Sequence, residues 1–152
     1  MRKRKAQCGS AIVEFALGFG VFVALFAGTF GFGHTFYTYN KLETAVRNGS
    51  RYGALLVYSS NAATVDSSPS SAFVTAVQNV TVYGNPNPPL GTPLVPGLTA
   101  NNVGVNVTFA NGQPDTVRVH ILGFQIRSVF LNWTANRKPV ASFSFMGRFA
   151  PL

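Results

Sequence analysis

Acidic side chains are scarce in this chain: of 152 residues only Glu14, Glu43, Asp66 and Asp115 carry a carboxylate. The last three lie far apart and make no carboxylate pair of the kind general acid–base chemistry needs. Cysteine is reduced to Cys8, which excludes an internal disulfide and a cysteine metal site. No apolar segment precedes Cys8 that would make it a lipoprotein cysteine. The two histidines, His34 and His120, are distant in sequence and lack accompanying ligands for a metal. No G-x-S-x-G motif orders a Ser/His/Asp set. An enzyme is therefore not expected, and neither a cofactor nor a metal is called for.

A basic stripe with interleaved aromatics is also lacking, so the net charge of +8 does not point to nucleic acid. Four of the twelve basic residues are Arg2, Lys3, Arg4 and Lys5; without them the charge falls from +8 to +4. The others are scattered from Lys41 to Arg148. A basic run directly before an apolar segment is a topology signal. It places the N-terminus in the cytoplasm and the remainder on the far side of a membrane.

The segment that follows, Ala11 to Gly33, is apolar except for Glu14. It is long enough to cross a hydrocarbon core of about 30 Å as a helix rising about 1.5 Å per residue, and too long for the h-region of a secretory signal. A carboxylate in such a segment costs roughly 2.5–3.5 kcal/mol on insertion scales, so a partner is expected for Glu14, the alternative being an isolated side chain hydrated or protonated near the cytoplasmic interface. His34 to Tyr39 supplies aromatic, half-polar side chains suited to the membrane–water boundary. From Asn40 to Tyr58 there is no proline, and Leu42, Ala45, Val46, Gly49, Gly53 and Leu56 keep a helical spacing. One helix is expected from about Ala11 to about Tyr58. Small residues recur every four positions on it: Ala16, Gly20, Ala24 and Gly28 in the apolar half, and Ala45, Gly49 and Gly53 in the outer half. That spacing lets two helix backbones approach closely. Glu43 and Arg47 have the spacing of an i,i+4 pair.

Residues 59–71 read as a Ser/Asn/Ala-rich linker, and Asn85 to Asn102 as an irregular, proline-rich stretch. Asn79 to Tyr83 is a short candidate strand. Val103, Val105, Val107 and Phe109 alternate with small or polar residues, as do Val117, Val119 and Ile121, giving two half-buried strands. Asn111 to Asp115 between them reads as a hairpin turn. A last strand is expected from Pro139 to about Phe149, with Ala141, Phe143 and Phe145 on one face and Ser142 and Ser144 on the other. Gly123 to Trp133 fits either a short amphipathic helix or a crossover, and Trp133 either a core residue or an interfacial anchor. The fold class is α+β: a long N-terminal helix followed by a small antiparallel β-sheet domain, with the outer half of the helix packed on the sheet. The divisions are 1–9, a leader; 10–33, a transmembrane helix; 34–58, its outer continuation; and 59–152, an extracytoplasmic β-rich domain.

Ser10-Ala11-Ile12-Val13-Glu14-Phe15-Ala16-Leu17 resembles the start of the TadE-like minor pilins of the tight-adherence (Flp) branch of type IV pili. Phe32 to Tyr37, followed by Ala45-Val46-Arg47-Asn48-Gly49-Ser50-Arg51-Tyr52-Gly53-Ala54, resembles that family's second block. Where many members carry a second acid late in the membrane helix, this chain has Gly28-Thr29-Phe30-Gly31. The resemblance implies cleavage by a prepilin peptidase between Gly9 and Ser10. It also implies an ion pair between the new Ser10 amine and the carboxylate of Glu14, in the same chain or a neighbour. The implied partners are the peptidase, other pilins and minor pilins, an inner-membrane assembly platform and membrane lipid. The implied location is the inner membrane of a bacterium, or an extracellular pilus. Two other readings stay open: a major filament-forming subunit, and an unprocessed single-pass anchor whose β domain binds a ligand.

Overall fold

In the computed structural model, residues 8–59, 69–88, 91–111, 113–128 and 132–150 are described. The basic run Arg2–Lys5 and most of the expected linker lie outside them. The first element, α1, runs unbroken from Cys8 to Leu55. Apolar and small residues carry it without proline, and Gly49 and Gly53 do not interrupt it. It stops three residues short of the expected Tyr58. The backbone N–H of Met146 donates to the Ala54 carbonyl at 2.8 Å, and the N–H of Tyr58 donates to the Arg148 carbonyl at 2.8 Å. The C-terminal segment thus satisfies groups that a further helical turn would have paired internally. A Cβ on Gly147 would strike the Leu56 carbonyl, so this approach requires glycine. Tyr58–Ser59 (β1) then pairs in parallel with Phe149–Ala150 (β7).

The expected strand at Asn79–Tyr83 is instead the end of a second helix, α2, Ser71–Tyr83. β-branched residues favour a strand locally, but three signals outweigh them. Ser70 accepts the Phe73 N–H at its start at 3.2 Å. Phe73, Val77, Val80 and Thr81 bury one helical face. Gly84 closes the end with φ 74°. The proline-rich stretch that follows is pinned rather than loose. Leu94 N–H donates to the Val82 carbonyl at 2.8 Å, Val95 and Leu98 are buried, and the stretch ends in a 3-10 turn at Ala100–Asn102.

The sheet is antiparallel, ordered β2-β3-β6, with β2 Val103–Ala110, β3 Gln113–Ile121 and β6 Val140–Ser144. Val117, Val119 and Ile121 point inward and are fully buried, as the alternation requires. Ala110 pairs with Gln113, so Gln113–Asp115 of the expected turn belong instead to β3. The described residues of Gly123–Trp133 form neither a helix nor a crossover. Phe124–Arg127 (β4) and Asn132–Ala135 (β5) form their own antiparallel hairpin. In β4, Phe124 and Ile126 face in while Gln125 and Arg127 face out.

The outer half of α1 packs on β3, β6 and α2. The core joins Leu42 and Val46 of α1 to Phe73 and Val77 of α2 and to the inward valines of β3. Tyr58 is its aromatic hub, with ring centroids at 5.3 Å from Phe73, 5.7 Å from Phe109 and 6.2 Å from Phe145, all edge-on. Burial pushes its phenol pKa up from the ordinary 10.0. The architecture is the expected α+β, with one more helix than the sequence reading supplied.

Candidate functional site

The residues expected to carry function lie along the first half of α1. Gly9 and Ser10 occupy its first turn and are exposed. Glu14 follows four residues after Ser10, one helical turn and about 6 Å further along the axis. It is exposed, and no described residue forms an ion pair or hydrogen bond with it. Around it the helix presents large apolar side chains on every side. From Ile12 to Phe36 they are 45–72% exposed, with Phe15 stacked on Phe19 and Phe22 on Phe26. An isolated soluble protein does not expose so large an apolar surface. The helix is long and apolar enough to cross a membrane, and that surface is what a bilayer or neighbouring apolar helices would cover.

The small-residue series splits in two. In the outer half, Ala45, Gly49 and Gly53 are buried inside the chain. A Cβ on Gly49 would collide with the Thr81 hydroxyl of α2. One on Gly53 would lie 3.0 Å from Val77 and 3.1 Å from Val117. In the apolar half, Ala16, Gly20, Ala24 and Gly28 are exposed, and no described residue comes within 4 Å of where a Cβ on Gly20 or Gly28 would stand.

At the boundary the globular part reaches back along the helix. Ser128, just past β4, donates its hydroxyl to the Gly31 carbonyl at 2.9 Å. Trp133 of β5 lies 5.7 Å from Tyr39, centroid to centroid, and remains 41% exposed. It is therefore not a core residue. Lys41 sits 4.8 Å over the Tyr37 ring. Arg47 donates to Glu43 at 2.7 Å on the exposed face, as their spacing implies, while Arg51 is exposed. Between the helix and β4 a groove of about 530 Å³ opens, lined by His34 and Arg127 among others. Sequence reasoning missed it because it depends on the β4–β5 hairpin. The alternation of Phe124 and Ile126 with Gln125 and Arg127 was the available signal. His120 faces the sheet partner Gly104. Its pKa is lowered below the usual 6.5, first by burial and then by the charges of Arg137 and Arg118. Among the described residues no cluster of His, Cys, Asp and Glu could hold a metal.

A long apolar helix with one intramembrane-type carboxylate near its start, continuing directly into a small α+β head, fits a membrane-anchored, pilin-like protein. The comparison with protein families is specific to that helix. Residues 9–51 match the family model for TadE-like protein, the family that the motifs around Glu14 and Arg47 resemble. The match takes in the Gly9–Ser10 junction, Glu14 and most of the second block, and it ends before α2 and the sheet. No curated protein matches the chain, and no solved structure does.

Proposed function

We propose that this chain is a minor pilin of a tight-adherence (Flp) type IV pilus or a related secretion filament. It is inserted through α1 with its N-terminus in the cytoplasm and cleaved after Gly9 by a prepilin peptidase. It then starts, caps or modifies the filament together with other pilins on an inner-membrane assembly platform. The observation that carries this reading is Glu14: a carboxylate with no ion-pair or hydrogen-bond partner among the described residues, one turn from Ser10, on the apolar half of a helix that matches the TadE-like family model. In a low-dielectric surrounding neither a lone carboxylate nor a lone amine is favourable, and each relieves the other. Pairing Glu14 with the freed Ser10 amine of a neighbour fixes the axial register between two helices. Gly9 sits in the first turn of α1. The peptidase therefore has to unwind that turn, and glycine makes the unwinding easy.

The length of the head favours a minor over a major subunit, since major pilins of this branch resemble little more than the helix. The deciding experiment is the intact mass of membrane-extracted protein, expressed with and without a cognate prepilin peptidase. Loss of Met1–Gly9 only with the peptidase supports the reading. A full-length chain in both samples refutes processing and leaves an unprocessed anchor with a head of separate function. In the processed protein, Glu14→Ala is expected to abolish incorporation into sheared filaments while membrane insertion persists. Normal incorporation of that variant would refute the pairing mechanism.

A further inference from the structure

The groove between α1 and β4 lies at a defined depth. The apolar run ends at Gly33, and the groove is lined on the helix side by His34 and Thr38. These residues stand about 1.5–7.5 Å beyond Gly33 along the axis. The polar layer of a bilayer, beyond a core of about 30 Å in a total of about 40–45 Å, is of that same thickness on each side. The opposite wall is fastened to the helix on both sides of this level, by the hydrogen bond from Ser128 to the Gly31 carbonyl and by the contact of Trp133 with Tyr39. Its rear is tied in by Asn102, whose side-chain amide donates to the Leu122 carbonyl at 3.0 Å.

The chemistry of the lining is cationic and amphiphilic. Arg127 contributes a guanidinium and His34 an imidazole, both on exposed residues, while Phe124 and Val95 supply an apolar floor. Arg127 makes no ion pair with a described residue. The described acids are Glu14, Glu43 and Asp115, and none lines the groove. A planar guanidinium with free donors matches a phosphate oxygen pair. An apolar floor beside it suits the glycerol and first methylenes of a lipid rather than a fully hydrated solute.

We propose that this groove binds the headgroup of one anionic phospholipid, with its phosphodiester on Arg127 and His34 and its glycerol over Phe124. The proposal rests on membrane insertion of α1 and is independent of the pilin role. A lipid held there would fix the height of the head above the bilayer while the subunit waits in the membrane.

The test uses full-length protein in a neutral detergent, given equal amounts of dioleoyl phosphatidylglycerol and dioleoyl phosphatidylcholine, with retained lipids counted by native mass spectrometry. One phosphatidylglycerol is expected to be kept about five-fold in preference, the scale of one cation near anionic lipid. Arg127→Gln is expected to erase that preference. Arg118→Gln, which removes an exposed cation on β3 outside the groove, is expected to keep it. Equal retention of both lipids overturns the proposal, and so does equal loss in both variants, which would mean diffuse charge. Displacement by millimolar inorganic phosphate would assign the groove to a soluble phosphate and overturn the lipid reading. Flotation with liposomes separates the two levels: wild-type protein that fails to float refutes the anchor and this site with it, whereas flotation without lipid preference refutes the site alone.

Discussion

Replacing Gly49 by alanine tests whether the outer small residues of α1 exist to admit α2. On an open helix face this change would stabilise the protein by about 1 kcal/mol, because glycine is the poorer helix former. Here the new methyl group would meet the Thr81 hydroxyl, with Thr81 Cβ at 3.1 Å and the Val77 carbonyl at 3.5 Å. Overpacking of this kind costs about 1–3 kcal/mol. The obstructing hydroxyl is itself buried and donates to the Val77 carbonyl at 2.8 Å; displacing it leaves a buried polar group unsatisfied, at about 1–3 kcal/mol. The two costs overlap, since one hydroxyl causes both. After subtracting the helix gain, a net loss of about 2 kcal/mol is expected, or about 4–8 °C in Tm for a chain of this size. Near-UV circular dichroism of the full chain in detergent, read in the tyrosine band at longer wavelength than the phenylalanine absorption of the apolar helix half, follows the packing around Tyr58. Thr81→Ala in the same chain removes the obstruction, so Gly49→Ala should then be neutral or stabilising. A rise in Tm for Gly49→Ala alone would refute the reasoning, as would effects that add to within about 0.5 kcal/mol.

Tyr58→Ala should cost about 3–5 kcal/mol, because it empties the centre of three edge-on ring contacts; denaturant unfolding checks it, and a loss below 1 kcal/mol would contradict the hub. The lowered pKa of His120 means that the folded state binds its proton less readily than the unfolded chain, whose pKa is near 6.5. Its contribution to stability is therefore complete above pH 6.5 and is lost as pH falls through 6.5 towards the depressed value. Melting curves from pH 7.5 to 5 should show this slope, reduced in His120→Gln; an unchanged slope in the variant would assign it elsewhere. Gly104→Val should destabilise the β2–β3 pairing, since a Cβ there would lie 2.5 Å from the His120 ring; a chain melting at the wild-type temperature would show that the ring moves aside freely.

The elements that sequence made legible are those whose environment is periodic. The helix α1 follows from an uninterrupted apolar run and a 3–4 spacing beyond it. β2 and β3 follow from strict alternation, and the Glu43–Arg47 pair from helical geometry. α2 was misread because Val80, Thr81 and Val82 are β-branched neighbours, and a short window sees only their strand preference. The cap at Ser70 and the spacing of Phe73, Val77 and Thr81 decide for helix only when the window begins ten residues earlier. The β4–β5 hairpin was obscured by the brevity of its two four-residue strands. The groove beside His34 could not be read at all from sequence, because it joins residues of α1 to Arg127 across more than ninety positions.

The two runs of small residues on α1 carry one pattern and meet two fates, and the difference lies in what surrounds them. Gly49 and Gly53 are answered from within the chain by Thr81, Val77 and Val117, and Ala45 is buried with them. Their four-residue period therefore requires no second subunit. Ala16, Gly20, Ala24 and Gly28 have the same period with no described residue against them, and they share their helix half with Glu14, which has no described ion-pair partner either. A lipid environment would accept a wide apolar side chain at Gly20 or Gly28 as readily as a hydrogen, so solvation by lipid gives no reason for small residues there. Close approach of another helix does give one, and in the proposed filament that helix carries a Ser10 amine of its own. The inner ladder and a carboxylate with no described partner would both be served by one occupant, the neighbouring apolar helix of the proposed filament. The outer ladder has already been used to fasten the head to its own stem.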